Sequence, residues 1–338
     1  MIESVDRNEG LGAFTSLRDW AAAQINLGSD WAQLSTGDPT ANLRKAIGCF
    51  EAAMSVFSEQ AYPRQWAMIQ NNLANAWADL PTGDPAENLR TAFNCYEAAL
   101  RVFSEKESPR EWARIQYNLA SVWVQLPASD GTTNLTSAIA CYIAALRVYS
   151  EHESPRDWAA VQNNLGNVWL ELVTEDREAN LTNAIACYEA ALRVYSEQHT
   201  PLDWARVERD LGNVWLELTA GDRAANLDKA IACYTAALRV YTEREFPDYR
   251  AFVERHLQQA WLDLRNQVGT QRDTPANSVG VRDLPETEST GTTASPSAPA
   301  NLPDSNETIL NGVRFVKTSG QGPISWHYPG FGKPKRDS

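Results

Sequence analysis

Asparagine side chains recur at a fixed interval of 46 residues along most of this chain. One series consists of Asn26, Asn72, Asn118 and Asn164, continued by Asp210 and His256. A second series, three residues further on, includes Asn75, Asn167 and Asn213. An asparagine amide donates two hydrogen bonds and accepts others at its oxygen, so a row of amides can bind a peptide backbone whatever its side chains are. The alternative is that the amides bond to one another and stiffen the fold.

The other chemically capable side chains do not form an active site. The five cysteines follow the same interval, at Cys49, Cys95, Cys141, Cys187 and Cys233. Equivalent positions of stacked helical repeats lie roughly 8–10 Å apart, which is too far for a disulfide, and no histidine accompanies each thiol as a metal ligand. The four histidines share no spacing, and we find no nucleophilic triad or glycine-rich phosphate loop. The sequence therefore predicts free structural thiols, and a protein without catalytic residues, metal or cofactor.

The amides and thiols belong to an internal repeat of two helices. Eleven of the twelve tryptophans fall into two series with the same step, Trp20, Trp66, Trp112, Trp158, Trp204 and Trp31, Trp77, Trp123, Trp169, Trp215, Trp261. A serine followed by a proline, as in Ser154-Pro155, predicts an N-cap and the first residue of a helix. Asp176 predicts the start of a second helix, whose apolar spacing continues through Glu197. A stack of such hairpins is an α-solenoid.

Composition and charge restrict the classes of partner. The net charge is −13, which argues against non-specific binding to nucleic acid or to an anionic membrane. No run of about 18 uncharged apolar residues exists, so no membrane span is expected. The first ten residues lack the basic and apolar regions of a signal peptide, which predicts a cytoplasmic protein.

The repeat resembles a known family. The run Leu165-Gly166-x-x-Trp169, followed by Tyr188 and Ala191, is similar to the two helices of the tetratricopeptide repeat, whose usual unit is about 34 residues. The longer unit, with its Pro-x-x-Trp-Ala opening, resembles repeats of bacterial signalling proteins that precede CHAT-type protease domains. The resemblance implies an all-α fold, a right-handed solenoid of about five hairpins and a capping helix, with a disordered C-terminal tail.

The register of the repeat also predicts the domain boundaries. Residues 1–16 are a lead-in, and the solenoid occupies 17–264 as repeats 17–62, 63–108, 109–154, 155–200, 201–246 and a cap helix 247–264. The resemblance implies that the first helices line a concave groove. The candidate groove residues are Asn26, Asn72, Asn75, Asn118, Asn164, Asn167, Asn213, Arg114, Arg206 and Arg209.

The chain after the solenoid changes in composition. Residues 265–306 are rich in proline, serine and threonine, which predicts a disordered linker. Residues 307–338 carry a net charge of +3, against −14 for residues 1–264, and Leu310-Asn311-Gly312-Val313 predicts a hairpin turn. We expect this segment to dock in cis or on a partner, and the alternative is an unstructured tail. The candidate docking residues are Phe315, Trp326, Tyr328 and Phe331.

These patterns predict a non-catalytic scaffold that binds a peptide or a partner segment in its groove. One alternative is an autoregulated adaptor whose own tail occupies the groove. Another, suggested by the family resemblance, is a regulatory component of a bacterial protease or effector system. No cofactor is expected.

Overall fold

The protein is a solenoid of helical hairpins. The computed structural model describes residues 16–127, 131–272, 307–310 and 313–316. Within these ranges the elements are α1 (Leu17–Gln33), α2 (Pro39–Met54), α3 (Pro63–Asp79), α4 (Pro85–Leu100), α5 (Pro109–Gln125), α6 (Gly131–Leu146), α7 (Pro155–Glu171), α8 (Arg177–Leu192), α9 (Pro201–Glu217), α10 (Arg223–Ala237), α11 (Pro247–Arg272), β1 (Glu307–Leu310) and β2 (Val313–Val316). The predicted all-α class and its hairpin units are confirmed.

Helices pack in chain order, each on the one before and the one after. Neighbouring first helices also touch each other, at α1–α3, α3–α5, α7–α9 and α9–α11. No comparable contact joins consecutive second helices in the described part of the chain. The odd-numbered helices are therefore closer to one another than the even-numbered helices are, and we call the side on which they lie the inner side of the stack.

The first helices begin where the sequence predicts, but the residue before the proline does not cap α3, α5, α7 or α9 with its side chain. Pro63, Pro109, Pro155, Pro201 and Pro247 are the first residues of α3, α5, α7, α9 and α11. Ser154 occupies the N-cap position of α7 without a side-chain cap bond. Its hydroxyl instead accepts from the backbone N–H of Ser150 at 3.1 Å. The predicted capping role is wrong because the hydroxyl closes the preceding turn.

The second helices are capped by aspartate, as predicted. Asp176 accepts from the backbone N–H of Ala179 at 3.1 Å, and Asp38, Asp84 and Asp222 cap their helices in the same way. The helix α8 ends at Leu192 rather than at the predicted Glu197, because the N–H of Val194 bonds to the carbonyl of Ala191 and tightens the last turn. Tyr195 then turns into the core.

A third asparagine series joins the two helices of each hairpin. Asn180 is buried at the start of α8, and its Nδ2 donates to the carbonyl of Leu172, the residue that ends α7, at 2.9 Å. The equivalent residues Asn42, Asn88, Asn134 and Asn226 make the same bond to Leu34, Leu80, Leu126 and Leu218. Each amide thus pairs a carbonyl that the end of a helix leaves without an intrahelical partner.

Gly166 marks the closest approach of the two helices in a hairpin. A Cβ built at Gly166 would lie 2.8 Å from Cε1 of Tyr188, and one at Gly212 would lie 2.7 Å from Cε1 of Tyr234. The rings occupy the space that a side chain would need. The helix therefore accepts glycine at this point, although glycine lowers helix propensity by about 1 kcal/mol relative to alanine.

A repeated arginine clamp ties each unit to the one before it. Arg193, which ends α8, donates to Glu151 of the preceding unit at 3.1 Å and lies 5.0 Å from the ring of Trp158. The same arrangement of an arginine, a glutamate of the preceding unit and a tryptophan ring recurs at Arg101, Arg147 and Arg239. The first tryptophan series is thereby covered by arginine, an arrangement that favours the folded stack by cation–π attraction.

The remaining features concern the thiols and the C-terminal elements. All five cysteines are free, and burial raises the pKa of Cys95 to about 11 and that of Cys187 to about 12. The helix α11 runs to Arg272, eight residues past the predicted boundary at 264. The strands β1 and β2 pair antiparallel with Leu310 opposite Val313, as the predicted turn requires. No helix in the described ranges is both long and apolar enough to cross a bilayer.

Candidate functional site

The inner side of the stack contains a cavity near its N-terminal end, which we call the amide cavity. Its volume is about 420 Å³. It is lined by α1 (Ser29, Ala32, Gln33), α3 (Asn72, Asn75, Ala78, Asp79) and α5 (Asn118, Ser121, Val122, Gln125), above Phe50 and Tyr96 of the second helices. Three of the predicted groove residues, Asn72, Asn75 and Asn118, therefore meet in one place.

A tyrosine of the second helix holds the second asparagine series in position. Tyr188 donates its hydroxyl to Oδ1 of Asn167 at 2.7 Å, and Tyr234 donates to Oδ1 of Asn213 at 2.8 Å. In the amide cavity, Tyr96 donates to Oδ1 of Asn75 in the same way. Each of these amides thus uses its oxygen within the hairpin, and its orientation is fixed.

The first asparagine series connects neighbouring units. Asn118 donates its Nδ2 to Oδ1 of Asn75 at 3.0 Å, which joins α5 to α3. Asn164 donates to the hydroxyl of Tyr117 at 3.0 Å, which joins α7 to α5. Asn71 donates to Oδ1 of Asn72 at 3.1 Å within α3. The amides therefore bond partly to one another, as the structural alternative predicted.

These internal bonds leave a defined set of polar atoms unused in the amide cavity. The Nδ2 groups of Asn72 and Asn75, Oδ1 of Asn118 and Oε1 of Gln125 have no hydrogen-bond partner among the described residues. None of these four atoms is among the fully buried side-chain atoms that lack a hydrogen-bond partner. The cavity accordingly presents amide donors on α3 and amide acceptors on α5, which is the complement of a peptide backbone.

The environment of Tyr96 keeps its hydroxyl protonated. Burial raises the pKa of Tyr96 far above its ordinary value, and the negative charge of Asp79 raises it further. Tyr96 is 2% exposed. The hydroxyl therefore remains a donor to Asn75 throughout the physiological pH range, and the orientation of that amide does not depend on pH.

The other predicted groove residues lie outside the amide cavity. Asn26 is an exposed residue of α1, and Asn164, Asn167 and Asn213 lie further along the stack on α7 and α9. Arg114 is exposed, and Arg206 pairs with Asp203 within its own helix. Arg209 forms a half-buried ion pair with Asp210 at 2.8 Å, so that its charge is already compensated.

The sequence analysis missed the aromatic floor of the cavity. The tyrosine of the second helix follows the asparagine of the second series by 21 residues, as in the pair Asn75 and Tyr96. In the first unit the pair is Ser29 and Phe50, so the amide and the hydroxyl are absent together. In the third unit Ser121 lies 3.1 Å from the hydroxyl of Tyr142, so the constant spacing of 21 residues between two polar positions was the readable signal of the contact.

Three of the four candidate docking residues of the tail lie outside the described residues. Phe315 lies in the strand β2. Trp326, Tyr328 and Phe331 are not among the described residues. No group of three or more metal-ligating side chains occurs in the parts of the chain that are described.

The packing defines a helical-repeat protein built of paired helices. No protein-family model matches the sequence, and no curated protein matches it either. Among solved structures, the chain is similar to the crystal structure of BtubC (BKLC) from P. vanneervenii, with a TM-score of 0.43 and 19% sequence identity. The match covers 81% of this chain and 100% of that chain. The helical-repeat class rests on the packing of this chain itself.

Proposed function

We propose that this protein is a tetratricopeptide-like scaffold that binds an extended peptide by its backbone in the amide cavity. The observation that carries the proposal is the set of oriented, unused amide atoms on α3 and α5. A backbone offers one donor and one acceptor per residue, and donors on α3 with acceptors on the neighbouring α5 can satisfy both. No catalytic step is needed for this role.

The chemistry of the lining favours a backbone ligand over a charged terminus. The cavity wall has amides, hydroxyls, small apolar side chains and the carboxylate of Asp79, and it contains no lysine or arginine. A free C-terminal carboxylate would find no cation there. The small residues Ala32, Ala78 and Val122 leave room for a main chain to approach the amides closely.

The test begins with selection of peptides of about a dozen residues from a random displayed library on the full chain. The key variant is Asn72→Asp, which keeps an oxygen that accepts from Asn71 and replaces the unused donor by a carboxylate oxygen. We expect the variant to bind a selected peptide at least about tenfold more weakly. The reason is that the amide donor to a backbone carbonyl is lost and a carboxylate stands in its place.

The matched control is Thr182→Ala on the exposed face of α8, which should leave the dissociation constant unchanged. Equal affinities of wild type, Asn72→Asp and Thr182→Ala would contradict the proposed site. Failure to select any peptide that competes at the amide cavity would contradict the proposed function as a whole.

A further inference from the structure

The last helix of the solenoid exposes an apolar face that is buried in the third and fourth units. Trp261 of α11 is 55% exposed, whereas the equivalent residues Trp123 and Trp169 are 7% and 8% exposed. Leu262 beside it is 45% exposed. The helix α11 packs on α10 and touches α9. Among the described elements no second helix follows α11, so this face has no partner there.

The exposed face is not built to receive another second helix. In the fourth and fifth units the close approach of that helix depends on Gly166 and Gly212, which contact the rings of Tyr188 and Tyr234. The equivalent position of α11 is Gln258, an exposed residue with a long side chain. A helix packed in the manner of α8 or α10 would collide with Gln258. The occupant of this face must therefore be of a different kind.

The chain itself supplies a segment that needs such a surface. The strands β1 and β2 form a hairpin of two four-residue strands. A single two-stranded hairpin is marginally stable in water unless it packs against a helix or a further strand. Its sequence includes Ile309, Leu310, Val313, Phe315 and Val316.

The length of chain between the two elements favours contact within one molecule. Helix α11 ends at Arg272 and β1 begins at Glu307. The composition of residues 273–306 predicts a flexible linker, and a flexible chain of that length has a root-mean-square span of about 30 Å. Trp261 lies eleven residues before the end of α11, about 16 Å along the helix axis. The tether therefore holds the hairpin at millimolar effective concentration near this face.

We propose that the C-terminal hairpin of residues 307–316 docks in cis on the face of α11 that contains Trp261 and Leu262. This contact covers the C-terminal end of the solenoid, at the place where the second helix of a sixth hairpin would pack. It uses a surface distant from the amide cavity, so that the groove stays open to a partner.

Hydrogen exchange of the full chain, measured by mass spectrometry, tests the proposal. Trp261→Ser should accelerate exchange of the amides in 307–316 by about tenfold or more, because the apolar contact that protects the hairpin is removed. Phe315→Ser should likewise accelerate exchange in the part of α11 around Trp261. The matched control is Leu17→Ser at the other end of the stack, since Leu17 is 52% exposed. It should change neither region.

The same measurement at about 1 and 100 μM protein distinguishes docking of the chain's own hairpin from docking of a second copy. Docking in cis predicts equal protection at both concentrations, because the effective concentration is set by the tether. Protection that appears only at the higher concentration would show that a second copy covers the face, and would overturn the proposal. Identical exchange of 307–316 in wild type and Trp261→Ser would also overturn it.

Discussion

Removal of the Tyr96 hydroxyl should weaken both the fold and the amide cavity. The variant Tyr96→Phe loses the bond to Oδ1 of Asn75, and loss of a neutral hydrogen bond costs about 0.5–1.5 kcal/mol. Asn75 keeps its bond from Asn118 at 3.0 Å, so its oxygen is not left unpaired and the cost should be about 1 kcal/mol. Phe50 in the first unit shows that a ring without a hydroxyl fits this position.

The effect on binding follows from the orientation of the Asn75 amide. Without the Tyr96 hydroxyl the amide is held by Asn118 alone and is less restricted, so the peptide must restrict it further on binding. We expect a dissociation constant about three- to tenfold higher, equivalent to about 0.7–1.4 kcal/mol. Isothermal titration with a selected peptide measures this change, and urea unfolding measures the loss of stability.

Tyr188→Phe is the matched control for this prediction. Tyr188 makes the same bond to Asn167, at 2.7 Å, in a unit that does not line the amide cavity. It should lower the free energy of unfolding by about 1 kcal/mol or more, because Oδ1 of Asn167 has no second donor among the described residues, and this corresponds to a fall in Tm of about 2–4 °C or more. The dissociation constant should stay unchanged. The reasoning would be refuted if both variants weakened binding equally, or if Tyr96→Phe left both stability and binding at wild-type values.

Other contacts give separate predictions. Asn180→Ala should lower the free energy of unfolding by about 0.5–1.5 kcal/mol, because it removes one of two hydrogen bonds to the carbonyl of Leu172 while the bond from Arg177 remains, and urea unfolding will measure the loss. Arg193→Ala should cost about 1 kcal/mol, and the double variant with Glu151→Ala should be non-additive in a double-mutant cycle, since both belong to one clamp. At pH 8 the alkylation of Cys187 should be much slower in the folded than in the unfolded protein, because burial raises the pKa of its thiol to about 12 and disfavours the reactive thiolate; equal rates by mass spectrometry would contradict this.

The periodicity of the sequence specified the hairpin units because each unit repeats the same packing requirements. The position of Pro155 predicted the start of α7, and the aspartates predicted the second helix starts. Gly166 was correctly predicted to face a closely packed helix, since the ring of Tyr188 occupies the space that a side chain would need. These features depend on local chain geometry and on contacts within one unit.

The features that sequence reasoning missed depend on competition between hydrogen-bond partners. Serine is a common N-cap residue, but the hydroxyl of Ser154 accepts a hydrogen bond from the backbone N–H of Ser150 instead. The sequence could not show which amide atoms are used by the fold, because that depends on the distances to Tyr96 and Asn118. Of ten predicted groove residues only three line the amide cavity, since the cavity forms where α1, α3 and α5 converge.

The most direct test of the proposed function changes the ligand instead of the protein. A selected peptide is synthesised as two series, one with single backbone N-methyl groups and one with single alanine substitutions. If the amide cavity binds the backbone, N-methylation at two or more central positions should weaken binding about tenfold or more, because each removes an N–H donor to Asn118 or Gln125. The alanine series should change affinity little at the same positions. If alanine substitution strongly lowered the affinity and N-methylation left the affinity unchanged, recognition of the backbone by the amide cavity would be contradicted.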